Sequence, residues 1–85
     1  MLEQKLTPQQ RVDGTVRAAR DSVWVITNEL QKKAETGVLT EEGRGNIERN
    51  VGHLEIVMAD PQVVELGGDL SDLTDAITEG KAALE

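Results

Sequence analysis

Few side chains in this sequence could act as a general base, a nucleophile or a metal ligand. His53 is the single histidine of an 85-residue chain that contains no cysteine. A histidine works as a base only beside a positioned nucleophile or carboxylate. Ser22, Ser71 and the threonines stand in cap or surface contexts, without the glycine-flanked turn that exposes a nucleophile. Glu48 and Glu55 flank His53 at spacings that do not make a metal-binding pair on a helix. His53 therefore reads as a surface residue. No phosphate-cradling glycine loop, paired zinc ligands or dinucleotide fingerprint occurs. The expectation is a protein with no catalytic residue, no cofactor, no metal and no small-molecule substrate.

The charged residues point to surfaces rather than to chemistry. Asp69, Asp72, Asp75 and Glu79 form an acidic series. A calcium loop needs its oxygen ligands on a tight turn with a fixed glycine, whereas this spacing runs along a helix. The series is expected to be a solvated or ion-pairing acidic surface. Arg17 and Arg20, with Arg11 before them, make a modest basic edge whose natural partner is an acidic helix of this chain or of another copy. The net charge is −7, and it is unevenly spread: residues 1–36 carry +1, residues 37–60 carry −3 and residues 61–85 carry −5. That balance repels phosphates, so nucleic acid is not an expected partner.

Two runs carry more apolar surface than one helical stripe can hold. Val23-Trp24-Val25-Ile26 is unbroken, and so is Ile56-Val57-Met58. Four consecutive apolar residues cannot share one face of a helix. Either a third helix covers the excess, or part of Trp24, Val25, Ile56 and Val57 stays exposed as an interface. Tryptophan is enriched at binding hot spots, which supports the second reading. Gly45 and Gly52, seven residues apart, either allow another backbone to approach or are simply exposed.

The elements that position these residues can be read from the apolar spacing. Thr7-Pro8-Gln9-Gln10 starts a first helix with a capping box and a proline at its first position. Val12, Val16, Ala19, Val23, Ile26 and Leu30 then step by 4, 3, 4, 3 and 4, a packed helical seam that overrides the β-branched bias of Ser22–Thr27. Gly37 stops it. Thr40-Glu41-Glu42 starts a second helix with the seam Ile47, Val51, Leu54 and Met58, ending at Asp60-Pro61. A short turn through Val63, Val64 and Leu66 follows, broken by Gly67-Gly68. Asp69 or Ser71 caps a last helix carrying Leu70, Leu73, Ala76 and Ile77. The 37–40 connection is short enough to force an antiparallel hairpin that sets Leu30 near Ile47, Ile26 near Val51 and Val23 near Leu54.

The fold expected is all-α, a small up-down bundle of three main helices forming one domain over residues 1–85. Residues 1–6 are expected to be a flexible arm. Leu84-Glu85 has the form of a tag remnant as well as of native sequence. A chain of this size buries only about 60–65% of its unfolded surface, so partner contacts are a natural source of extra stability. No apolar run reaches membrane-spanning length, and Met1–Lys5 lacks the apolar run of a secretion leader. With no cysteine, a cytoplasmic setting is expected. The functional expectation is a non-enzymatic interaction or assembly module that self-associates. The alternative is a monomeric acidic regulator that docks on a basic surface of a target protein.

Overall fold

The computed structural model describes residues 5–85, so the expectation for the amino-terminal arm lies, for residues 1–4, outside the described residues. Lys5 and Leu6 precede the first element and are exposed. Four helices follow: α1 (Pro8–Thr36), α2 (Glu41–Met58), the short α3 (Pro61–Leu66) and α4 (Ser71–Leu84). They form an all-α bundle in which α1, α2 and α4 pack against one another.

Each helix begins where a side chain can satisfy free amides. The Thr7 hydroxyl accepts from the Gln10 amide at 3.1 Å, and the Gln10 side chain accepts from the Thr7 amide at 3.0 Å. Thr40 caps α2 by accepting from the Gly43 amide at 2.9 Å. Asp60 does the same for α3 through the Gln62 amide at 2.9 Å. The start of α4 differs from the expectation. Leu70 occupies the cap position with no side-chain bond, while Asp69 just ahead of it accepts from the Ser71 amide at 3.0 Å. Gly37 and Gly68 take φ +76° and +75° at the two reversals, a region closed to most side chains.

At 29 residues, α1 is about 43 Å long. The hairpin forms as expected: Ser22 meets His53 and Glu29 meets Asn46 across the α1–α2 contact. Next, α3 folds against the first turns of α1, where Arg11 pairs with Asp60 at 3.2 Å and Gln9 donates to the Leu66 carbonyl at 2.9 Å. From there α4 runs back antiparallel to α2. It begins where Arg20 meets Asp72 and finishes where Arg44 donates to the Leu84 carbonyl at 2.9 Å.

The core collects Val12, Val16, Ala19 and Ile26 from α1 and Ile47, Val51, Leu54 and Val57 from α2. Val63, Leu70, Leu73 and Ala76 complete it from the carboxyl-terminal half. Val23, Leu30, Met58 and Ile77, expected as seam residues, are only partly buried at its edge. The reason is that α1 touches both α2 and α4, so its buried stripe is wider than one seam and turns toward α2. Ser22 and Glu29 are thereby buried, which corrects the expectation of a cap or surface setting for Ser22.

Candidate interaction surface

The four apolar residues singled out from sequence separate in the structure. Val57 belongs to the core at 4% exposure and is not available to a partner. Val25 is half-buried on the flank of α1. Trp24 and Ile56 are exposed, at 65% and 74%. Each lies two residues from a fully buried one (Ile26 and Leu54), hence about 200° around its helix and pointing away from the core. Both stay exposed with α4 in place. Trp24 thus stands exposed on α1 and Ile56 on α2, each turned away from the core.

The acidic residues behave as a graded series. Asp72 is partly covered and pairs with Arg20 at 2.9 Å, while Arg20 also reaches the Asp69 carbonyl at 3.3 Å. Asp69 is exposed, and the Ser71 amide that donates to its carboxylate holds it below the ordinary aspartate range. Asp60 is held low in the same way by the Gln62 amide, with help from the Arg11 guanidinium. Asp75 and Glu79 are exposed and take part in no ion pair among the described residues. The spacing of Asp72, Asp75 and Glu79 sets all three on one face of α4.

Between α1 and α2 lie two part-buried polar pairs, in which Ser22 and Glu29 of α1 are buried while Asn46 is half-buried and His53 is exposed, as the sequence led one to expect of His53. The Ser22 hydroxyl and His53 Nδ1 lie 2.8 Å apart. Asn46 donates to the Glu29 carboxylate at 2.9 Å, with Lys32 at 3.6 Å from its other oxygen. No buried side-chain nitrogen or oxygen lacks a partner among the described residues. A serine beside a histidine is the start of a nucleophilic pair, but the surroundings do not support that chemistry. Ser22 is 5% exposed and lies mid-helix, where neighbouring amides are engaged by the helix and cannot form an oxyanion hole. Its role is to let α1 and α2 approach with their polar atoms satisfied. Among the described residues, no three histidine, aspartate or glutamate side chains are grouped so as to hold a metal ion. No described helix is long and apolar enough to cross a membrane.

Concavities are shallow. One open hollow of about 280 Å³ is lined by Asp13, Val16, Arg17, Arg20 and Gly67. A smaller one of about 160 Å³ lies at the α1–α2 turn beside Glu29, Lys32 and Leu39. Neither matches the enclosed, mostly apolar site that holds a small molecule.

No family model matches this chain, and no curated protein or solved structure is significantly similar to it. The reading of its surface therefore rests on its own residues.

Sequence reasoning missed a close helix contact at Gly80. Gly80 is buried where α4 crosses the hairpin, and a Cβ there would meet Val51 Cγ2 at 2.5 Å and Ile47 Cγ2 at 3.3 Å. The glycines singled out instead are open: a Cβ on Gly52 meets nothing within 4 Å, and one on Gly45 meets only the Arg49 side chain at 3.5 Å. The available signal was Gly80 falling in step with Leu73 and Ala76 on the apolar face of α4.

Proposed function

We propose that this chain is a non-enzymatic helical module whose work is contact with other protein, in the first place with further copies of itself. The observation that carries the reading is Trp24, the chain's one aromatic residue, held 65% exposed on the outer face of α1. A tryptophan left in water forgoes a large burial term, and fully desolvated tryptophans are among the commonest interface anchors. The shallow hollows and the burial of Ser22 away from any oxyanion donor favour contact over catalysis. The exposed Asp75 and Glu79 favour a second reading, in which the monomer offers an acidic edge to a basic target.

Light scattering across a range of concentrations, on the wild-type chain and on Trp24→Ala, separates the two. Under the first reading the wild-type mass rises to a dimer or more, while Trp24→Ala stays monomeric with unchanged helicity. A wild-type chain that remains monomeric at high concentration overturns self-association and leaves the acidic-edge reading to be pursued. Equal loss of helicity and association in the variant moves Trp24 into a folding role and overturns its place at the interface.

A further inference from the structure

The proposed self-association leaves open which surfaces meet, and the charge layout narrows that choice. Four of the nine basic side chains are already engaged in ion pairs within the chain. Arg11 holds Asp60, Arg20 holds Asp72, Lys32 faces Glu29 and Lys81 holds Glu55. Arg17 is exposed and takes part in no ion pair or side-chain hydrogen bond among the described residues. It lines the open hollow of about 280 Å³ beside Arg20. The one carboxylate at that hollow, Asp13, accepts from Gln9 at 2.8 Å. Arg17, Arg20 and Trp24 step by 3 and then 4, so one face of α1 presents two guanidiniums and the exposed indole in a row.

The acidic row on α4 has the same spacing. Asp72, Asp75 and Glu79 also step by 3 and then 4. Its first member already meets the basic row within the chain, through the 2.9 Å Arg20–Asp72 pair. Its other two members are exposed and unpaired among the described residues. One chain therefore carries a half-used basic row and a half-used acidic row that demonstrably suit each other.

Resting on the self-association reading, we propose that the Arg17–Arg20–Trp24 face of α1 docks the Asp75–Glu79 edge of α4 from a second copy of this chain. Arg17 takes a carboxylate of the incoming α4 at the hollow, and Trp24 covers the aliphatic parts of the helix beside it. Because each copy carries both rows, a two-fold arrangement makes the contact twice and closes a dimer. Two chains of charge −7 repel at long range, but at ~0.15 M salt the screening length is about 8 Å, which mutes that repulsion more than close pairing.

The test is charge reversal, read by sedimentation equilibrium at ~0.15 M salt. Wild type is compared with Arg17→Glu, Glu79→Arg and the double variant, with circular dichroism confirming that all are equally helical. Each single reversal is expected to weaken association about tenfold, and the double variant to recover to within about threefold of wild type. Single variants that associate as tightly as wild type overturn this pairing while leaving self-association standing through another surface. Weakened singles without recovery in the double also overturn it. A wild-type chain that is monomeric throughout overturns both this pairing and the reading beneath it.

Discussion

Replacing Gly80 with alanine is a sharp test of the packing, because the same substitution elsewhere in the chain should have the opposite sign. Alanine is preferred over glycine in a helix interior by about 1 kcal/mol, so on local grounds Gly80→Ala should stabilise α4. The added methyl, however, would stand 2.5 Å from Val51 Cγ2 and 3.3 Å from Ile47 Cγ2, with Ile26 Cγ2 at 3.6 Å. Comfortable carbon–carbon contact is about 3.5–4.0 Å. The overlap with Val51 is about 1 Å or more, and a helical valine has essentially one rotamer, so Val51 cannot turn aside. The helices must separate instead. Overpacking of this kind costs about 1–3 kcal/mol, which leaves a net destabilisation of about 0–2 kcal/mol after the propensity gain. Gly52→Ala is the matched control. Nothing lies within 4 Å of its added methyl, so the propensity term acts alone and stabilises by up to about 1 kcal/mol. Urea unfolding followed by circular dichroism, at concentrations where the chain is monomeric, measures both. For a domain of this size each kcal/mol moves the thermal midpoint by about 4–8 °C. A Gly80→Ala variant stabilised as much as Gly52→Ala would show that α4 does not cross the hairpin at this point.

The polar pairs and caps give two more expectations. Glu29→Leu removes the acceptor of the part-buried Asn46 bond at the α1–α2 contact; a loss of about 1 kcal/mol is expected in the same urea assay, and Glu29→Gln should lose less. Asp60 and Asp69 should titrate below the ordinary aspartate value near 3.9 in a proton-by-proton NMR titration, because amide donors stabilise their charged forms. A carboxylate lowered by folding contributes stability that is present above its unfolded pKa and is lost as pH falls through the folded one. The unfolding free energy should accordingly decline below about pH 4, and Asp60→Asn should flatten part of that decline. A titration showing both groups at or above the ordinary value would remove their caps from the argument.

How far the sequence led depended on what kind of interaction fixes each feature. Helix limits were legible because they are local: Thr7 with Gln10, Gly37, Thr40 and Asp60-Pro61 act within a turn of where they stand. The antiparallel hairpin followed from a short connection between two amphipathic helices. What could not be read was decided by the third dimension. Whether Val57 or Met58 enters the core depends on how α2 rotates to meet both α1 and α4, and it rotates toward Val57. Ser22 and His53 looked unrelated at 31 positions apart, yet the antiparallel register brings them to 2.8 Å. The tolerance for a polar buried stripe on α1 arises only because Asn46 and His53 stand opposite it. For the candidate surface, periodicity identified the apolar excess but could not say which part α4 would leave uncovered.

The uncovered residues share a property that bears on function. An 85-residue bundle has little stability to spare, so departures from what the fold prefers are informative. Gly80 departs from helix propensity and the α2–α4 contact explains it. Gly45 and Gly52 depart equally, and no close intramolecular contact requires them, since a methyl at either meets at most a movable arginine. Trp24 and Ile56 depart in another way, leaving large apolar side chains in water while smaller valines fill the core. Scattered exposed apolar residues are ordinary, but the exposed residue here is the chain's single aromatic, beside a guanidinium row with one member unpaired among the described residues. The inward faces of the helices answer to the fold. Under the proposed self-association, the outer face of α1 answers to a second copy, and the association measurements are aimed there.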